Sequence, residues 1–200
     1  LIEYQNKKYA DQYKELVDYV KKHEQKINVD KNNFSNAVAI NYFKLMSYKD
    51  EFEISRLFCN SYFLNKINSN FEGNFNINYH LAPPIFSKKD PVTKKPIKRK
   101  FGPWVIIVFK VLSYLKFLRG TFLDPFSYLK ERKIERQLVE DYFDTIIFVG
   151  SKLTLNNYKI AVDIASTPDE IRGFGYVKLK NIKIAKNTEL SLMSTFNEFT

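Results

Sequence analysis

FEGNFNINYHLAPPIFSKKDPVTKKPIKRKFGPW, Phe71 to Trp104, is where the period of the chain changes. Upstream, apolar residues recur every three or four positions. From Asn74 onward Phe75, Ile77, Tyr79 and Leu81 alternate with Asn74, Asn76, Asn78 and His80. Alternation at every second residue predicts a strand with one buried face. Pro83 and Pro84 cannot donate to a ladder, so they end that strand or place it on an edge. DPVTKKP, residues 90–96, is a turn by its chemistry: the Asp90 side chain can cap its own backbone, and Pro91 presets φ. IKRKF, residues 97–101, then returns. Residues 74–101 read as one β-hairpin, with a basic end carrying Lys88, Lys89, Lys94, Lys95, Lys98, Arg99 and Lys100.

Helical period surrounds this insertion. Tyr9, Tyr13, Leu16, Val17 and Val20 give a first helix. AVAINYFKLMSYKDEFEISRLF, residues 37–58, continues that period with a break near Ser47. GPWVIIVFKVLSYLKFLRG, residues 102–120, opens a helix with Pro103 in its first turn and Gly120 beyond its end. Its apolar run stops at Lys110, far short of the roughly 20 residues that span a bilayer, so it reads as a buried core helix. Asp124 and Pro125 predict the start of a long helix with Ile134, Leu138, Tyr142, Ile146 and Val149 as its stripe. Thr154 starts another, TPDE at 167–170 is a capping box, and a last helix closes the chain. The fold class is therefore mainly α (α+β): one helical domain over residues 1–200 with a hairpin inserted at 74–101.

Of the 32 basic and 22 acidic residues, the segment from Lys88 to Arg136 holds 14 basic and 4 acidic, and the rest of the chain balances. All of the net charge of +10 sits there, and a localised positive field attracts acidic partners. Cys59 is alone, which excludes an internal disulfide and a cysteine-held zinc or iron–sulfur site, and fits a reducing compartment. The chain opens at Leu1 without methionine and without a signal-peptide pattern, which predicts a piece of a longer, cytoplasmic polypeptide.

Catalytic signatures are missing: no glycine-rich nucleotide loop, no H-E-x-x-H, and only two histidines, His23 and His80, in different elements. No catalytic residue and no metal site is expected within these residues. The candidate contacts to anionic groups or neighbouring domains are Lys44, Tyr48, Lys49 and Arg56, set among apolar helix positions, with Lys44 and Tyr48 one turn apart. Two arginine–glycine pairs, Arg119–Gly120 and Arg172–Gly173, add candidates, since glycine permits a turn and arginine grips carbonyls or a carboxylate. Salt bridging and hydrogen bonding within the domain is the competing reading of the first group, and structural capping that of the two arginine–glycine pairs. For Phe101, Trp104, Phe117, Phe122 and Phe126, core packing is expected. The basic hairpin is a candidate docking patch for acidic partners, or a charged tip that keeps an edge strand from pairing.

Four strings in the same order, residues 37–58, 71–104, LKFLRGTFLDPFSY (115–128) and PDEIRGFGYVK (168–178), resemble the C-terminal region of fused indolepyruvate ferredoxin oxidoreductases. That resemblance, to the 2-oxoacid:ferredoxin oxidoreductase superfamily, implies a parent enzyme that oxidatively decarboxylates aryl 2-oxoacids and reduces ferredoxin. It implies thiamine diphosphate and iron–sulfur clusters bound elsewhere in that parent, and none in this piece. The partners implied are the catalytic domains of the same polypeptide, ferredoxin as a second candidate, and further copies in a homo-oligomer; no membrane is expected, and nucleic acid enters only as the less favoured reading of the basic hairpin. Lys94 stands where relatives tend to have a turn glycine, and Tyr176 where they often have histidine. A stand-alone basic module for acidic protein or nucleic acid is the alternative.

Overall fold

The structure, a computed structural model, describes residues 1–28, 31–83, 90 and 96–199. Among these are eight α-helices: α1 Lys7–Lys26, α2 Asn33–Met46, α3 Glu51–Phe58, α4 Ser61–Asn70, α5 Val105–Tyr114, α6 Lys130–Ser151, α7 Tyr158–Ser166 and α8 Tyr176–Glu198. Strands β1, Tyr79–Leu81, and β2, Arg99–Phe101, pair antiparallel with Tyr79 opposite Phe101 and Leu81 opposite Arg99. The protein is thus mainly helical with one β-hairpin. It divides into two compact units, one made of Leu1–Tyr48 and Gly120–Thr200, the other of Lys49–Arg119.

The first unit packs α1, α2, α6, α7 and α8 around one core. Leu16 and Val20 meet Phe34, Val38, Tyr42 and Met46 of α2, Leu138, Tyr142, Ile146 and Val149 of α6, Ile164 of α7 and Phe196 of α8. Burying a side chain of that size stabilises by about 1.5–3 kcal/mol, so this stripe-on-stripe packing dominates the fold. Tyrosines fill apolar positions while their hydroxyls donate to backbone carbonyls: Tyr9 to Met46 (3.0 Å), Tyr13 to Ala39 (3.1 Å) and Tyr142 to Ala165 (2.8 Å). Glu24 of α1 is buried against the start of α2. Its carboxylate accepts the Phe34 and Ser35 N–H groups at 2.8 and 3.1 Å and the Tyr158 hydroxyl at 2.7 Å. An anion there satisfies two otherwise unpaired helix donors and complements the helix dipole.

The second unit is smaller and aromatic. Tyr79, Val105 and Phe109 form its core, with Phe58, Ile77, Leu81, Phe101 and Ile106 around them. Phe58 stacks on Phe109 at 5.2 Å, and Tyr79 meets both rings edge-on.

Several boundaries differ from the sequence reading. The long helix begins at Lys130, not after Asp124. Asp124 is buried and committed on both sides, accepting the Gly120 N–H and the Phe126 N–H at 2.9 Å each, so it closes a loop instead of capping a helix. α7 begins at Tyr158, because Asn157 and Thr154 bond one another across a local turn. TPDE forms a 3-10 turn with Pro168 buried. Helix α4 was not anticipated. Among the described residues of 74–101, the two strands pair Tyr79–Leu81 with Arg99–Phe101.

Candidate functional site

The break between α2 and α3 arises where Ser47 turns its hydroxyl back to the Phe43 carbonyl at 2.7 Å and Asp50 caps α3 through the Glu53 N–H at 2.8 Å. It separates the candidates that sequence spacing had grouped. Tyr48 lies past the end of α2 and is buried. Its ring stands edge-on to Tyr4, whose hydroxyl donates to the Tyr48 carbonyl at 2.9 Å. Lys49 is exposed and begins the second unit.

Lys44 projects from α2 to the 3-10 turn, donating to the Pro168 carbonyl at 2.6 Å and lying 3.7 Å from Asp169. Partial burial pulls its ammonium below the usual lysine range, with Asp169 opposing and Arg172 adding to the shift. Arg172 donates to the Asp169 carbonyl at 2.9 Å, so these two candidate cations meet at one corner. Lys44 and Arg172 there tie a turn to α2.

In the second unit, Arg56 grips Glu53 with two hydrogen bonds of 2.8 and 2.7 Å. Arg119 grips Asp50 the same way at 2.5 and 2.9 Å, with both side chains under 5% exposed and the guanidinium 5.7 Å from the Phe52 ring centroid. Asp50 and Arg119 lie next to the two ends of the 49–119 segment, so this fork closes that segment at its base. Spacing marked Arg119 as a cation of interest but gave no sign of Asp50, 69 residues away.

Lys88, Lys89, Lys94 and Lys95 of the candidate docking patch lie outside the described residues. Lys98, Arg99 and Lys100 are exposed on and beside β2. The Cys59 thiol is pushed up by burial, with Lys110 opposing, which leaves it a weak nucleophile.

One feature reverses the sequence reading. Helix α5, expected to be a buried core helix, inserts Val105 and Phe109 into the core and leaves the opposite side open. Trp104 is 59% exposed, Ile107 65%, Val111 54% and Tyr114 80%, with Val108 alongside. These positions follow a spacing of three and four, one continuous stripe. Trp104, Phe117 and Phe122, read as core aromatics, are exposed, while Phe101 and Phe126 are half-buried. Apolar residues on two opposite faces give one face more than a small core can cover, although the sequence does not say which face that is.

No helix among the described residues is long and apolar enough to cross a membrane, and no cluster of three or more metal-ligating side chains occurs among them. An iron–sulfur cluster needs several cysteine ligands, so a chain with Cys59 alone does not fit that group. A profile described as "Family of unknown function (DUF6537)" matches residues 1–189, and the chain belongs to that family. No curated protein and no solved structure matches the chain.

Proposed function

We propose that this chain is the C-terminal accessory domain of an indolepyruvate ferredoxin oxidoreductase-like enzyme in the cytoplasm, where it stabilises the assembly by packing on the catalytic domains. The four strings that resemble that family carry the reading. The site geometry agrees with a structural role: Lys44, Arg56, Arg119 and Arg172 all engage acceptors of their own unit. Thiamine diphosphate and iron–sulfur clusters belong, on this reading, to the parent's other domains, and no step of the chemistry is assigned to these residues.

The test is complementation. Enzyme lacking residues 1–200 is mixed with this chain, and indolepyruvate-dependent ferredoxin reduction is followed. Recovery of activity in proportion to bound chain is expected; absence of both binding and recovery overturns the proposal. The alternative, a basic binding module, is favoured by the charge of the second unit, 13 basic against 5 acidic residues. It predicts nucleic-acid binding that weakens steeply with salt.

A further inference from the structure

The open face of α5 calls for a partner. A helix with apolar residues on two opposite faces buries both only when each meets a partner, and here Val105 and Phe109 occupy one face while Trp104, Ile107, Val108, Val111 and Tyr114 face solvent. Exposed stripes of this extent mark interaction surfaces. The composition of this one also matters. Ile107, Val108 and Val111 are β-branched and stiff at χ1, and an aromatic ring stands at each end of the stripe. Such a face loses little side-chain entropy when it docks on a shaped, solid surface.

The charge around it narrows the occupant. The face belongs to a unit with 13 basic and 5 acidic residues, and of those acids Asp50 and Glu53 are already taken by Arg119 and Arg56. Lys98, Arg99 and Lys100 precede the helix and Lys110 borders the stripe, all exposed. A second copy of this chain would set like charge against like. Nucleic acid would use the cations and leave the aliphatic stripe bare. An interfacial membrane helix turns its charged side to water, whereas the far side of α5 is Phe109 and Val105 packed in the core.

We propose that the open face of α5 is the contact through which this chain docks on an acidic, apolar-centred protein surface of the catalytic domains. Trp104, Ile107 and Val111 are the anchors, and Lys98, Arg99 and Lys100 the steering rim. This rests on the function proposed above and specifies the surface that performs it.

The experiment is calorimetric titration of the 200-residue chain into the thiamine-diphosphate- and iron–sulfur-bearing polypeptide, at low and high salt. Ile107→Asp and Val111→Asp are expected to weaken binding about 100-fold each, as for truncated hot spots. Ile107→Ala with Val111→Ala, which leaves no buried charge, should weaken it about tenfold. Reversing Lys98 and Lys100 to glutamate should weaken it about tenfold at low salt and little at high salt. Circular dichroism melts that match the parent chain show that the variants fold. Full-strength binding by the Asp variants overturns the α5 contact while the accessory-domain function stands. No binding by the parent chain overturns that function, and the contact with it. Self-association, or binding to phosphatidylserine vesicles, that is abolished by Ile107→Asp overturns the acidic protein as occupant.

Discussion

The fork between Arg119 and Asp50 is the clearest case of one residue pair shaping the chain. Two desolvated charges meet with two hydrogen bonds, and the remaining Asp50 capacity is used by the Glu53 N–H. Removing one partner leaves an uncompensated buried charge, which costs about 3–5 kcal/mol, whereas removing both costs far less. Asp50→Leu and Arg119→Met are therefore each expected to lower the urea midpoint sharply, and the two together to recover most of the loss. Strictly additive losses in that cycle would show the pair to be independent. Arg119→Lys does not restore the fork, because an ammonium cannot make two parallel bonds to one carboxylate. Glu24 follows a different logic, an anion held by backbone donors and a tyrosine at the head of α2.

Among the elements, α5 separates a packing side from a contact side. Phe109→Ala removes a ring stacked on Phe58 and met edge-on by Tyr79, and is expected to destabilise by about 3–5 kcal/mol. Ile107→Lys, one half-turn away and exposed, should change thermal stability by less than about 0.5 kcal/mol. A large loss at Ile107 in melting experiments would place that residue in the core after all. The elements also show what the sequence made legible. Period located α1 and α2 and supplied the stripe of α6, because these helices bury Leu16, Val38 and Tyr142, whereas α5 was placed by Pro103 and Gly120. It failed where side chains answer to distant or local polar groups. Asp124 carries the signature of a helix cap, yet both its oxygens are spent inside a loop. Tyr48 continues the spacing of α2, yet the Ser47 hydroxyl ends the helix before it. No pattern in a single sequence could separate the two faces of α5, since both are apolar and only the size of the Tyr79–Phe109 core decides which is covered.

At the scale of the molecule, the second unit is one continuous stretch set between the two halves of the first. Because Asp50 and Arg119 join its ends, the chain leaves and returns at nearly the same place. Replacing residues 49–119 by a linker of about four residues, a common loop length, should leave the first unit folded with its Tyr42–Tyr142 core intact. Loss of cooperative unfolding in that deletion would mean that the five helices need the insertion to assemble. The same arrangement sets an order of events during synthesis. The inserted unit is complete once Arg119 has left the ribosome. The residues after it, roughly 80 of them at about 5–20 per second, take several seconds more to appear. Early in that interval Leu16, Val20, Phe34 and Val38 lack the α6 residues that cover them, for longer they lack Ile164 of α7, and until its end they lack Phe196 of α8. The nascent first half is thus the part of this protein with most need of a chaperone, while the later-made insertion is ready first.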